Sequence, residues 1–387
     1  MAKIDESVSD PLQKQAADLS QDELISEAAP QGKSVVVGMS GGVDSAVAAA
    51  ELQAAGYNVI GVTLILWKED QEEERPWQDR SCCKVGLARH VAGLLSIPHH
   101  TLDVQQEFQA EIIDDFCDTY LMGETPNPCV RCNERMKFGR LLSAARALGA
   151  DTIATGHYAQ VACGPSGGHR LLRSVDAGKD QTYFLYRMSQ DHLAHTLFPL
   201  GGMTKEAVYQ KAAALGLPYE DILESQEVCF VNQTGYREFL SMYRPEAATP
   251  GRIVTESGDA VGQHAGVAHY TVGQRKGLGI AASERLYVTR LDPARGEVVV
   301  GPEARLYQDT LIAREIIWGG GGLPTSPMAV SAKVRYRTPD QPAILTPLSN
   351  GNVHLQFESP QRGVAPGQSV VFYRDDEVIG GGIIAPA

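Results

Sequence analysis

"GMSGGVDS", Gly38 to Ser45, follows the apolar run "KSVVV" and precedes the alanine-rich "AVAAAELQAAG". An apolar run ending in glycine, then a helix-forming run with a glycine stop, is a strand handing over to a helix through a glycine-rich loop. Glycines there let backbone amides close on an anion. Ser40 and Ser45 add hydroxyl donors, and the helix start adds partial positive charge. The loop is a candidate phosphate cradle. It lacks the lysine of G-x-x-x-x-G-K-[ST] and does not match G-x-G-x-x-G, so it is neither of those nucleotide loops.

The same cycle repeats downstream. "NVIGVTLIL", "HHTLDV" and "DTIATGH" read as strands, and "VGLARHVAGLLS", "FGRLLSAARALG" and "TKEAVYQKAAALGL" as helices. Continuous apolar strands alternating with helices predict an α/β domain with a parallel sheet covered on both faces, its site in the loops after the strands. Beyond about Gln233, glycine, β-branched residues and turn pairs take over, as in "PGRIVTESGDAVGQHAG", "YTVGQRKGLGI" and "LYVTRLDPARGEVVVG". These read as short strands and hairpins with "ESGD" and "DPARGE" as turns. "MAVSAKVRYR", "NVHLQFES" and "QSVVFYRDDEVIGGGII" then read as a small barrel. The expected organisation is an acidic, disordered tail (1–30), an α/β domain (31–232), a β-rich central domain (233–308) and a C-terminal β-barrel (309–387).

A chain of 387 residues with 43% hydrophobic and 21% charged residues can bury several cores, and no apolar run reaches membrane-span length. The N-terminus has no basic start followed by an apolar stretch, so a cytoplasmic location is expected. The net charge of −13 argues against a uniformly basic nucleic-acid binder. Residues 1–30 carry −5 of it, however, and "EDQEEE" (69–74) reads as a solvated acidic loop. Basic faces remain in Arg131, Arg135, Lys137, Arg140 and Arg146, and in Lys333, Arg335 and Arg337.

Seven cysteines in a long chain without a signal speak against a disulfide framework. Cys129 and Cys132 stand at C-x-x-C spacing in "TPNPCVRCN" (125–133). As a zinc knuckle they need a second ligand pair, for which the adjacent Cys82 and Cys83 are poorly spaced. A thioredoxin-like pair is compatible with the prolines but leaves Cys229 without a task. Cys117 and Cys163 read as ordinary small residues.

"SGGVDS" resembles the PP-loop of the ATP pyrophosphatases, which cleave ATP between the α and β phosphates to adenylate a substrate. With "TPNPCVRCN", "ATGHYA", "GKDQTYFLY", "ESQEVCF", "YTVGQRKGLGI", "AKVRYR" and "PGQSVVFY", the chain from Lys33 nearly to its end resembles the tRNA-specific 2-thiouridylases, which place sulfur on C2 of the wobble uridine. The resemblance implies that Gly38, Met39, Ser40 and Gly41, then Gly42, Val43, Asp44 and Ser45, clasp the triphosphate of ATP. Leu64 and Gly156 complete that site, and Asp44 holds Mg²⁺ or shapes the loop. Asn127, Pro128 and Cys129 would border the target base. His157, Lys179, Asp180 and Gln181 would meet tRNA, as would Arg335, Tyr336 and Gln368 from the barrel.

The implied chemistry joins an adenylated uridine to a persulfide on Cys229, delivered by a sulfur-donor or relay protein. Cys132 then releases the sulfur through a Cys132–Cys229 disulfide. Cations such as Arg131 and the PP-loop helix end are expected to lower the thiol pKa values. Many family members have aspartate at the position of Cys129. The third thiol leaves a [4Fe–4S] cluster on Cys129, Cys132 and Cys229 as an alternative. The rival readings are a PP-loop amide ligase, which needs neither the cysteines nor a barrel, and a non-catalytic tRNA- or metal-binding module.

Overall fold

The computed structural model describes residues 32–67, 84–164, 167–217, 228–231, 235–282, 284–319, 322 and 324–386. The acidic tail, "EDQEEE" and the Cys82–Cys83 pair lie outside the described residues. Among these residues the N-terminal layer is a five-stranded parallel sheet, in spatial order His99–Asp103, Asn58–Ile65, Ser34–Gly38, Thr152–Ala154 and Thr196–Leu197.

The central strand explains its own sequence. Val36 joins one core cluster, while Val35 and Val37 join the other. Successive side chains of a strand point to opposite faces, and both faces are covered here, so polar residues have no place in the run. Helices Val43–Ala54, Val85–Leu94 and Lys205–Ala214 pack on the Val35/Val37 face, and helical residues of 105–121 and 128–147 on the other. From Ser34–Gly38 the chain moves to a neighbour on one side and later returns, as Thr152–Ala154, on the other. The C-terminal ends of these strands therefore part around a crevice, and the phosphate loop and "ATGH" face each other across it.

The helix expected from Phe138 starts ten residues earlier, at Pro128, and passes through a π-helical stretch, Asn133–Arg140, before ending at Ala147. Proline is tolerated in a first turn because its missing N–H has no helical acceptor to lose. The C-x-x-C pair is thus the opening turn of a long helix with a widened middle, a feature common at functional sites.

The central domain is a four-stranded sheet in the order Leu286–Asp292, Glu297–Pro302, Gly251–Thr255, Ala260–His264. "ESGD" and "DPARGE" turn its two hairpins. "YTVGQRKGLGI" is not a strand pair: it touches the sheet through bonds between Gly273 and Val288 and between Val288 and Gln274. The six strands Tyr307–Trp318, Val353–Arg362, Gln341–Pro347, Met328–Lys333, Ser369–Arg374 and Glu377–Ile384 close into a barrel, the last pairing back to the first through Ala313 and Ile384. The fold class is the expected one. One element crosses the domains: hairpin Gln160–Cys163/His169–Leu172 extends the barrel sheet, with Leu171 opposite Val378.

The glycines of "VIGGGII" have a packing reason. A Cβ on Gly381 would lie 2.5 Å from the Tyr186 ring and 2.7 Å from the Val370 carbonyl oxygen. Tyr186 donates its hydroxyl to the Gly382 carbonyl at 3.3 Å, so the α/β domain rests directly on barrel backbone. Gly381→Val is expected to cost about 1–3 kcal/mol through overpacking. A thermal melt should show a lower Tm for it and none for Gly93→Ala, where an added Cβ meets open space.

Candidate active site

The phosphate loop is held by its own serines. Ser45 Oγ donates to the Gly42 carbonyl at 2.9 Å and accepts the Ser40 N–H at 3.3 Å, while the Gly42 N–H donates to Ser40 Oγ at 3.3 Å. Gly41 has φ +78°, and a Cβ there would meet the Lys84 carbonyl oxygen at 2.7 Å, so only glycine fits. Met39 and Val43 are buried anchors, and the Met39 N–H donates to Val62. The N–H groups of Val43, Asp44 and Ser45 open helix Val43–Ala54 and have no intrahelical acceptor. Gly38 supports the loop from below, against Leu141. Across the crevice Gly156 packs on this turn: its Cβ would stand 2.6 Å from the Asp44 carbonyl carbon. Leu64 is buried, which leaves its backbone as the reachable part.

Sequence reasoning missed Lys205. Its Nζ lies 2.7 and 2.9 Å from the two carboxylate oxygens of Asp44, and the Tyr158 hydroxyl donates to the same carboxylate at 2.9 Å. The fold thus brings a lysine to a loop whose sequence has none. A signal existed: lysine at the first position of a helix opposes the helix dipole and calls for an acidic partner. Of the two roles expected for Asp44, this geometry fits shaping the loop, since both oxygens are engaged.

The "GKDQTYFLY" segment and Asp176 just before it back this arrangement. Asp176 accepts the Lys205 N–H at 2.9 Å, and Gln181 Oε1 accepts the Tyr158 N–H at 2.9 Å. Asp180 is buried, taking bonds from Thr182 Oγ1 at 2.8 Å and the Ser174 N–H at 3.2 Å. Asp180 is thus buried and satisfied inside the protein, Gln181 is half-buried with its Oε1 on the Tyr158 N–H, and Lys179 is half-buried on the same turn.

Cys129 is exposed, Cys229 half-buried and Cys132 buried, with Cys229 packed against the core cluster that contains Cys132. Burial pushes the Cys129 thiol up, neighbouring Cys229 adds to the rise and Lys137 opposes it. Its side chain reaches the surface while the surrounding protein still penalises the thiolate. Lys137 also acts on His157, which burial holds well below its ordinary value of 6.5 and whose Nδ1 is 2.7 Å from Thr155 Oγ1. The cation that acts on Cys129 is Lys137. Arg131 is turned away, bonded to Glu315 at 2.6 Å with Glu134 at 3.5 Å and Asp115 at 3.9 Å.

Among the described residues no three His, Cys, Asp or Glu side chains gather as a metal ligand set, Cys129, Cys132 and Cys229 included. Asn127 stands at the N-cap of the cysteine helix within reach of the Tyr183 hydroxyl, and Pro128 follows it, buried. Tyr336 lies on Phe184 with ring centroids 4.5 Å apart. "RYR" has left the strand, which ends at Lys333, and Arg335 donates to the Gly363 carbonyl. Gln368 Nε2 donates to the carbonyls of Thr125 and Pro126, each at 3.0 Å.

Residues 33–233 match the family described as tRNA methyl transferase HUP domain, 237–302 its PRC-barrel domain, and 308–384 the aminomethyltransferase beta-barrel domain. The tRNA-specific 2-thiouridylase MnmA of Moorella thermoacetica is 49% identical over 356 residues, 90% of this chain and 98% of the relative. That of Geotalea uraniireducens is 47% identical over 359 residues, 92% and 96% of the two chains. The chain belongs to the tRNA-specific 2-thiouridylase family. Solved structures are more distant: NMN synthetase from Francisella tularensis is 18% identical with a TM-score of 0.34, covering 56% of this chain and 78% of that one.

Within this 2-thiouridylase the buried histidines set an acid limit. Burial lowers His99, His157, His192, His264 and His269 below their ordinary value of 6.5. Below that pH the unfolded chain binds protons that the folded chain refuses, so stability rises with pH through this window and is lost on acidification. Thermal melts between pH 7 and 5 should show Tm falling, and His157→Gln should flatten the fall. An equally steep fall in that variant would assign the effect to other groups.

Proposed function

We propose that this chain 2-thiolates the wobble uridine of tRNA in the cytoplasm, with ATP activating the C2 oxygen and a cleft thiol delivering the sulfur. The reading is supported by a glycine-rich loop held by its own serines and by the Asp44–Lys205 pair, and by Cys129 and Cys229 lying near enough to act on each other, in a chain of the 2-thiouridylase family. The family descriptions speak of methyl transfer and the curated relatives of thiolation. The thiols of the cleft favour sulfur.

The C2 oxygen of uridine is a poor leaving group. Attack of that oxygen on the α phosphate of ATP releases pyrophosphate and leaves C2 carrying an adenylate. The amides of Val43 to Ser45, the serine hydroxyls and the Lys205–Asp44 pair fix the loop around the phosphates. Mg²⁺ would neutralise phosphate charge when bound. The outer sulfur of a Cys229 persulfide, loaded by a donor or relay protein, then attacks C2 and AMP leaves. The Cys132 thiolate next attacks Cys229 Sγ, forming the Cys132–Cys229 disulfide and freeing the thiouridine, and a thiol reductant supplies two electrons to reopen it. Cys129, whose thiol is pushed up by burial and by neighbouring Cys229, borders the target base. Lys137 balances the anionic sulfur. Asn127 and Pro128 border the uridine, with His157, Lys179, Arg335 and Tyr336 toward the RNA.

Cys229→Ser and Cys132→Ser should each abolish 2-thiouridine, read by nucleoside mass spectrometry, while tRNA-dependent pyrophosphate release persists. Normal 2-thiouridine from either variant would sink the assignment. Lys205→Met should do the reverse, slowing pyrophosphate release and leaving persulfide loading of Cys229 intact. It should also lower Tm, since breaking a buried ion pair costs up to about 3–5 kcal/mol and a partly exposed Asp44 less. If Lys205→Met releases pyrophosphate at the wild-type rate, Lys205 has no part in ATP activation.

A further inference from the structure

The segment that leads to Cys132 is held from outside its own domain. Arg314 donates to Glu124 at 2.6 Å, and the Glu124 side chain is 6% exposed. The Thr125 N–H donates to the Pro366 carbonyl at 2.7 Å. Gln368 gives its amide N–H groups to the Thr125 and Pro126 carbonyls, and Arg131 bonds Glu315. All of these partners lie on the barrel. Gly367 makes the approach possible: it has φ +86°, and a Cβ there would stand 2.8 Å from both Glu124 Cβ and the Thr125 nitrogen.

Two details speak against an incidental contact. Glu315 has φ +49°, a left-handed conformation uncommon for glutamate, at an irregularity of strand Tyr307–Trp318 between Arg314 and Ile317. Such irregularities re-aim side chains, and strain of this kind persists only where the surroundings over-determine it. In addition, two carbonyl oxygens face the Gln368 amide, which fixes its orientation, because Oε1 in that place would oppose another acceptor.

We propose that the C-terminal barrel is part of the sulfur-transfer site: Arg314, Glu315 and Gln368 are positioning residues for the thiol-bearing turn, and Gln368 acts on that loop instead of on RNA. This rests on the thiolation reading above. The barrel then does more than hold tRNA, because removing its grip moves Cys132 and Cys129 relative to Cys229 and the uridine. Misplacement by about 1 Å can cost a reaction roughly 100-fold.

The test uses the full-length chain and the variants Gln368→Glu, which offers no N–H to either carbonyl, and Glu315→Gln, which keeps shape and removes charge. Iodoacetamide labelling of Cys129 and Cys132 is read by peptide mass spectrometry, with the exposed hairpin residue Cys163 as internal reference. Labelling of Cys132 relative to Cys163 should rise roughly tenfold, and single-turnover sulfur transfer at saturating tRNA should fall at least as much. tRNA affinity and its salt slope should stay at wild-type values, since no phosphate contact is lost. Unchanged labelling with weakened tRNA binding in Gln368→Glu would make Gln368 an RNA contact and overturn the proposal. A wild-type chain that makes no 2-thiouridine would instead sink the functional reading. The labelling arm needs neither ATP nor tRNA and decides the positioning role by itself.

Discussion

The carboxylate of Asp44 is the point on which the nucleotide end of the molecule depends. It accepts bonds from Lys205 and Tyr158, so three segments far apart in the chain meet at one partly buried charge. A carboxylate in a first helical turn is already favoured by the helix dipole, but a buried ammonium at the start of another helix needs an anion, and Asp44 supplies it. The dependence is therefore stronger on the side of Lys205. The requirement reaches outward: Lys205 is fixed by Asp176 on its N–H, Tyr158 by Gln181, and Gly156 leaves room for the turn. The "GKDQTY" segment thereby becomes part of the adenylating apparatus at second hand.

At the thiol end the electrostatics run the other way. Poor solvation raises Cys129, and a single lysine, Lys137, offsets it. The three thiols differ in exposure, Cys132 buried and Cys229 half-buried against exposed Cys129.

How much of this was legible in the sequence differs by the range of the interaction. The parallel sheet was legible because burial on both faces erases polar residues from "SVVV", and the barrel because its strands and turns carry local signals. The start of the cysteine helix at Pro128 was not, since "TPNP" reads equally as a break, and neither was the π-helical widening, which leaves no periodic trace. Motifs marked Asp180 and Gln181 as important but could not show which way they face. Lys205 was hidden because its partner stands 161 residues away. Arg131 was assigned to the thiols by proximity along the chain. Three acidic groups in space, one of them on the barrel, outweighed that proximity.

The barrel's attachment follows from the same long-range logic. It joins the α/β domain by strand pairing at Leu171 and Val378, by Tyr186 lying on the glycines of its last strand, and by the grip on residues 124–131. A single hinge would let the barrel swing as tRNA binds. Attachment at three separated places removes that freedom, because rotation about any one of them strains the other two. The position of the turn that carries Cys129 and Cys132 is then set by barrel strands as much as by the parallel sheet of its own domain.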